Sequence, residues 1–339
     1  MVQKRKNYGK LPNSFASKKH KKKQKAKKLV DQATNHFPEE ILVEILNRLP
    51  VRSFVRFKCV FKFCTTLISD PYFIRKHLNH AKNDEDSQKL LINQCCPKDN
   101  RYSIYCCPSS PVQLVEDVEK LKLDCPSIPK PRCCIIHCCY DGLAVIQICY
   151  NDRVIFLLWN PFIRESIVLP ALGYPQDEMF SHFGLGYDSI NDEYKILHMP
   201  GNQGNSKYPN EILALKSGLW RRIDEHPLGN LNMQYLSFIH AAFHWIVVSR
   251  NYFVVVSFSI SNEVYREISL SEEILNMRPS SGGIGLSVLG GMLCVHSNSI
   301  LMGKTTFKAM EWKYLSKSAV GYLYGLLFNA NAFPNLGQY

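Results

Sequence analysis

Three segments of this chain read as the same strand–turn–strand unit. They are Leu158-Trp159-Asn160-Pro161-Phe162-Ile163-Arg164-Glu165-Ser166-Ile167, Leu213-Ala214-Leu215-Lys216-Ser217-Gly218-Leu219-Trp220-Arg221-Arg222-Ile223, and Val256-Ser257-Phe258-Ser259-Ile260-Ser261-Asn262-Glu263-Val264-Tyr265-Arg266-Glu267-Ile268. Their turns recur roughly every 40–60 residues, the spacing of propeller blades. From residue 88 onward the apolar period is two, as in Ala144-Val145-Ile146-Gln147-Ile148, Tyr194-Lys195-Ile196-Leu197 and Phe253-Val254-Val255-Val256. Turn residues separate these runs: Asp141-Gly142, Asn160-Pro161, Ser261-Asn262, Gly290-Gly291. No helical stretch lies between them, so antiparallel hairpins are expected rather than parallel strands with helical crossovers. Trp159, Trp220 and Trp245 are expected to be buried.

The texture upstream is different. Pro38 with Glu39 and Glu40 marks a helix start, because proline fits the first turn and acids favour its positive dipole end. Ile41, Leu42, Ile45, Leu46 and Leu49 follow as one apolar stripe, and Pro50 ends it. A second short helix is expected over Ser53–Val60. A third is expected over Phe63–Ile68, stopped by Asp70-Pro71, with one last turn carrying Tyr72, Phe73 and Leu78. Three short helices bury too little surface to stand alone comfortably, so this unit calls for a partner.

The net charge of +12 belongs to a tail. Residues 1–30 carry 12 Lys/Arg and no acid, which leaves 29 bases against 29 acids elsewhere. Residues 1–33 are expected to be a disordered basic arm. Its run Lys18, Lys19, Lys21, Lys22, Lys23, Lys25, Lys27 and Lys28 has the density of a nuclear address or a polyanion contact. No base-reading fold stands behind it, so specific nucleic-acid recognition is not expected. The 13 cysteines are odd in number, and many are adjacent doublets such as Cys133-Cys134 and Cys138-Cys139. Neighbours on a strand point to opposite faces, which suits a disulfide framework poorly, and with no apolar leader they predict reduced thiols in an intracellular chain. The longest apolar stretch, Tyr235–Ser249, is interrupted by His240 and His244 and falls short of a membrane span.

Chemistry-bearing motifs are weak. Gly303-Lys304-Thr305-Thr306 resembles the end of a phosphate loop, but Asn298 stands where the first glycine must be. Gly282-Gly283-Ile284-Gly285 reads as a hairpin loop. Cys133-Cys134-Ile135-Ile136-His137-Cys138-Cys139 falls on one expected strand, so alternate side chains diverge and no metal site is expected. No nucleophile or paired-carboxylate motif points to an enzyme, and no cofactor is expected.

Residues 37–78 resemble an F-box of the large plant family. Downstream, Cys139-Tyr140-Asp141-Gly142-Leu143, Leu158-Trp159-Asn160-Pro161, Phe183-Gly184-Leu185-Gly186-Tyr187-Asp188 and Asn191-Asp192-Glu193-Tyr194-Lys195-Ile196-Leu197 resemble its F-box-associated, kelch-like domain. Leu215–Arg221, Val255–Phe258 and Leu289–Cys294 continue the resemblance in order, over roughly residues 35–300. Where the family usually carries Ser-Trp after Lys62, this chain has Phe63-Cys64, which removes a large ring from a small unit. After about Gly303 the family-like pattern fades, and the run Gly321–Phe328 has no evident place in it.

The resemblance implies an α+β multidomain chain. It has a disordered arm (1–33), a three-helix F-box (34–80), an all-β propeller-like domain (88–303) and a divergent tail (304–339) that leaves the propeller short of its last strands. It also implies a non-catalytic substrate receptor of an SCF-type ubiquitin ligase. Phe37, Pro38, Ile41, Leu42, Ile45, Leu46, Leu49, Pro50, Val51 and Leu67 would dock on a Skp-type adaptor and through it a cullin, and the β domain would hold the protein to be ubiquitinated. Such a receptor works by raising the local concentration of target lysines. The basic arm adds an import receptor as a partner and predicts a nuclear and cytoplasmic location. The alternative is a nuclear or polyanion-associated scaffold with a vestigial F-box.

Overall fold

The computed structural model describes residues 38–309 and 324–329, with internal gaps of which the longest are 57–61, 109–120, 174–180, 202–207, 229–235 and 271–283. The expected order holds: helices first, then an all-β domain. The chain divides into two compact units at His77/Leu78.

Three helices are described, α1 (Glu39–Asn47), α2 (Lys62–Ile68) and α3 (Pro71–Lys82). The helix expected over Ser53–Val60 lies mostly outside the described residues. The expected last turn is instead the 12-residue α3. Asp70-Pro71 both stops α2 and starts α3: the Tyr72 amide donates to Asp70 Oδ1 (2.9 Å) and the Ile74 amide to Asp70 O (3.0 Å). An acidic cap followed by proline at the first helical position is a start signal as much as a stop.

Among its described residues the second unit shows five antiparallel sheets. The first is β19 (Tyr324–Asn329), β1 (Gln88–Cys96), β2 (Arg101–Pro108) and β3 (Leu121–Leu123), in that order. The second runs β4 (Cys133–Tyr140), β5 (Leu143–Tyr150), β6 (Arg153–Asn160), β7 (Glu165–Val168), and the third β8 (Ser181–Asp188), β9 (Glu193–Pro200), β10 (Glu211–Ala214), β11 (Leu219–Arg222). The fourth is β12 (Ser237–Ile239), β13 (Ala242–Val248), β14 (Phe253–Ser259) and β15 (Tyr265–Ile268). The fifth shows three strands, β16 (Ile284–Leu289), β17 (Met292–Leu301) and β18 (Lys304–Ala309). The leading strands β19, β4, β8, β12 and β16 neighbour one another in succession, which is propeller-like order.

The three repeated segments of the sequence are the third-to-fourth strand turns of sheets two, three and four. Each turn has one residue in the left-handed region at the same place: Arg164 (φ 59°), Gly218 (φ 65°) and Glu263 (φ 58°). The Asp141-Gly142 signal is a two-residue hairpin with both residues at positive φ (50° and 77°), as a tight turn of that type requires.

The described residues beyond 303 are strands. Lys304–Ala309 pairs with β17, and Tyr324–Asn329 pairs with β1 in the register Gln88↔Asn329 to Asn93↔Tyr324. The run with no evident place in the sequence fills, in the first sheet, the position that β4 and β8 hold in theirs. Both ends of the domain thus meet in one sheet, which covers an edge that would otherwise stand open. The expected boundary at 303 falls between β17 and β18 of one sheet.

Burial between sheets holds the domain together. Leu158, Phe183, Leu185, Ile196 and Leu213 join sheets two and three, and Leu197, Phe243, Trp245, Val256 and Phe258 join three and four. Gly184 and Gly186 on β8 let these sheets approach. A Cβ on Gly184 would lie 2.7 Å from the buried Phe243 ring, and one on Gly186 would overlap the Phe238 ring. Trp159 and Trp245 are buried as expected, while Trp220 is half-buried and its indole N–H donates to Pro170 O (2.8 Å).

Candidate functional site

The helical unit buries Leu46, Val51, Cys64, Ile68 and Phe73. Polar ties hold its elements in register. Glu44 on α1 accepts from Arg48 and from Lys76 on α3 (both 3.1 Å), and these two cations, Lys76 first, hold its carboxyl below the usual range. His77 Nε2 lies 3.0 Å from Leu49 O.

That packing leaves Ile41 (47% exposed) and Ile45 (50%) side by side on the outer face of α1, and Tyr72 (75%) at the start of α3. An i, i+4 pair of exposed isoleucines on a short helix is a contact surface without a cover. The expected stripe of five was too wide for one face. Successive residues of a helix are 100° apart, so Leu42, Leu46 and Leu49 turn toward the core and Ile41 and Ile45 away from it.

The residues expected to meet an adaptor therefore separate into groups. Pro38, Ile41, Ile45 and Pro50 are exposed, and Leu42, Leu49 and Leu67 are half-buried. Leu46 (6% exposed) and Val51 (1%) are core residues, a correction to their expected place on the surface. Phe37 lies outside the described residues, as do Lys18, Lys19, Lys21, Lys22, Lys23, Lys25, Lys27 and Lys28 of the basic arm. Tyr72, placed by the sequence only on a last helical turn, is an exposed residue that the expected adaptor set lacks.

Several polar groups of the β domain lie inside the blades. His137 on β4 donates from Nε2 to Gln147 Oε1 (2.8 Å), and the Phe183 ring stacks between His137 (4.8 Å) and His198 (4.6 Å). Burial lowers the His137 imidazole to about 4, partly offset by the Gln147 bond and reinforced by nearby His182. Burial, with His137 and His182, lowers His198 to about 3. Both are neutral at pH 7 and far from the pKa a general base needs there, so they serve packing.

These shifts set a pH dependence. The unfolded chain takes up protons on both imidazoles near 6.5, whereas the folded chain resists until about 4 and about 3. Stability is therefore full above 6.5 and falls as pH drops toward those values, by about 1.4 kcal/mol per pH unit for each histidine. Urea unfolding at pH 7.5 and 5.5 should show a lower midpoint at 5.5, and His198→Gln should flatten the difference. An unchanged midpoint would contradict the burial of both rings.

The cysteines separate as well. Cys133 and Cys149, directly opposite on β4 and β5, are joined as a disulfide, which departs from the all-thiol expectation. Cys138 and Cys139 are pushed up by burial and remain thiols. Elsewhere in the domain Ile190 (79% exposed), Leu219 (70%) and Val264 (47%) stand out at turns of sheets three and four.

Comparison with known proteins identifies the two units. A model of the F-box domain matches residues 35–76, and a model of the F-box associated beta propeller domain matches residues 94–299. An F-box/kelch-repeat protein of Arabidopsis thaliana is 25% identical over 240 residues, covering 69% of this chain and 65% of that protein. F-box protein CPR1 of the same plant is 24% identical over 291 residues, covering 77% and 66%. The chain spans just under two thirds of the length of the curated relatives it matches. An F-box match on the helical unit and a second match over more than half of the chain agree with the order of the two units, and the chain belongs to the plant-type F-box proteins that carry an F-box associated β-propeller domain.

Proposed function

We propose that this chain is a substrate receptor of an SCF-type ubiquitin ligase. Its helical unit docks on a Skp-type adaptor, the adaptor links it to a cullin, and its β domain binds the protein to be ubiquitinated and degraded. The chain performs no chemistry itself. The observation that carries this reading is the uncovered pair Ile41 and Ile45, flanked by Pro38 and Pro50, on a unit that buries Leu46, Val51, Ile68 and Phe73 instead. The apolar turn residues Ile190, Leu219 and Val264 support a protein ligand for the β domain. The direct test mixes the purified full chain with a purified plant Skp-type adaptor and follows the complex by size-exclusion chromatography. Co-elution is expected, and separate elution of both components would overturn the reading.

The basic arm extends the proposal to location. Its eight lysines between Lys18 and Lys28 concentrate charge in a segment with no apolar stripe, which supports contact with an acidic import-receptor groove. Deleting residues 1–30 should shift a fluorescent fusion from nucleus to cytoplasm with adaptor binding unchanged. A fusion that stays nuclear would remove the nuclear part of the proposal.

A further inference from the structure

We propose that Cys125 and Cys134 form a hydroperoxide-oxidisable dithiol, since their sulfurs lie 3.6 Å apart with one on a half-exposed irregular segment and the other fixed on a strand. Cys134 sits on β4 and is 1% exposed, within the apolar cluster where the first two sheets meet beside Leu91, Ile104 and Ile136. Cys125 follows β3 in an irregular stretch outside the ladder, so it can both meet a small oxidant and travel the remaining distance to a bond. The proposal goes beyond the receptor function and does not depend on it.

The two thiols divide the work. The proton shared between the sulfurs stabilises a thiolate on Cys125 and lowers its pKa, against the opposing effect of burial, while the same contact and burial push Cys134 up. Cys64, Cys138 and Cys139 are all pushed up by burial, which keeps them protonated and slow. The Cys125 thiolate attacks a peroxide oxygen and the O–O bond breaks. The distal oxygen leaves as water or alcohol, taking the proton the thiol gave up, and Cys125 becomes a sulfenic acid. The Cys134 sulfur then displaces hydroxide from that sulfur, and the hydroxide leaves as water with the Cys134 proton. Two thiols are oxidised by two electrons, one hydroperoxide is reduced, and a disulfide ties the end of the first sheet to the leading strand of the second.

Arg132 lies between the two cysteines, so trypsin separates them into peptides 123–132 and 133–153. The full chain is treated with hydrogen peroxide, blocked with iodoacetamide and digested without reduction. Most of peptide 123–132 should then be recovered linked to 133–153, with fragment ions placing the bridge at Cys134 and dithiothreitol reversing it. In Cys134→Ser the link should vanish and Cys125 should be trapped by dimedone as a sulfenic acid. In Cys125→Ser, a change at the half-exposed position, Cys134 should survive peroxide as a free thiol. Alkylated Cys125 after peroxide, or a bridge from Cys125 to Cys133 in place of Cys134, would overturn the proposal.

Discussion

Ile41→Asp combined with Ile45→Asp should abolish adaptor binding while leaving the chain folded. Each isoleucine is about half covered in the free chain. Burying the rest contributes on the order of 1 kcal/mol per side chain, and forcing a carboxylate into the same apolar contact costs several kcal/mol more. Together these reach well beyond the 1.4 kcal/mol that makes a tenfold change, so the affinity should fall by more than about a hundredfold. The outward direction of both side chains predicts little change in far-ultraviolet circular dichroism. Leu46→Asp is the informative contrast. Leu46 is buried with Ile68 and Phe73, so a charge there should melt the helical unit, and any loss of binding would follow from unfolding. Isothermal titration of a Skp-type adaptor into the double variant decides the matter, and an affinity equal to that of the original chain would show that another face docks.

The difference between Ile45 and Leu46 also shows where the sequence could be read and where it could not. Period-two runs and turn pairs such as Asp141-Gly142 are local signals, and the strands and hairpins they predict are in place. The repeated Arg164, Gly218 and Glu263 turns were legible for the same reason. Inside against outside on α1 was not, because five apolar residues span more than one helical face and only the packing of α2 and α3 chooses between its two sides. Strand β19 was hidden for a different reason. Its partner β1 is most of a domain away in sequence, and no local pattern records a non-local pairing. The Cys133–Cys149 bond and the 3.6 Å Cys125–Cys134 contact likewise depend on register and on the meeting of two sheets. The glycines of Phe183-Gly184-Leu185-Gly186 marked the family, yet their reason, room for Phe243 and Phe238 from the next sheet, is visible only in three dimensions.

Asp188→Ala should cost the β domain about 3–5 kcal/mol, because it leaves a buried ammonium group without its counter-ion. Asp188 is fully buried at the end of β8, and Lys195 on β9 is 6% exposed. Lys195 Nζ lies 2.8 Å from Asp188 Oδ2 and also donates to Ile260 O (3.2 Å) in the next sheet. Ser261 Oγ (2.6 Å), Asn191 Nδ2 (2.7 Å) and the Ile190 amide (3.0 Å) donate to the same carboxylate. Burial alone would raise its pKa, but the bonds from Lys195, Ser261 and Asn191 prevail and hold the group well below the usual carboxylate range. A carboxyl whose folded pKa is depressed stabilises the fold above its unfolded value near 3.9, and that contribution is lost only as pH falls further, through the folded value. The Asp188 contribution should therefore be intact at pH 5.5, where the histidine contribution has already declined. Lys195→Met should cost less than Asp188→Ala, since the carboxylate keeps its backbone, serine and asparagine donors. The double variant Asp188→Ala with Lys195→Met should be more stable than the sum of the single changes allows, because neither charge is then left unpaired. Urea unfolding of the four proteins at pH 7 measures that coupling directly. A single-variant loss within about 0.5 kcal/mol of zero, the range of ordinary surface changes, would mean that water reaches the pair and that the third and fourth sheets are joined by apolar packing alone.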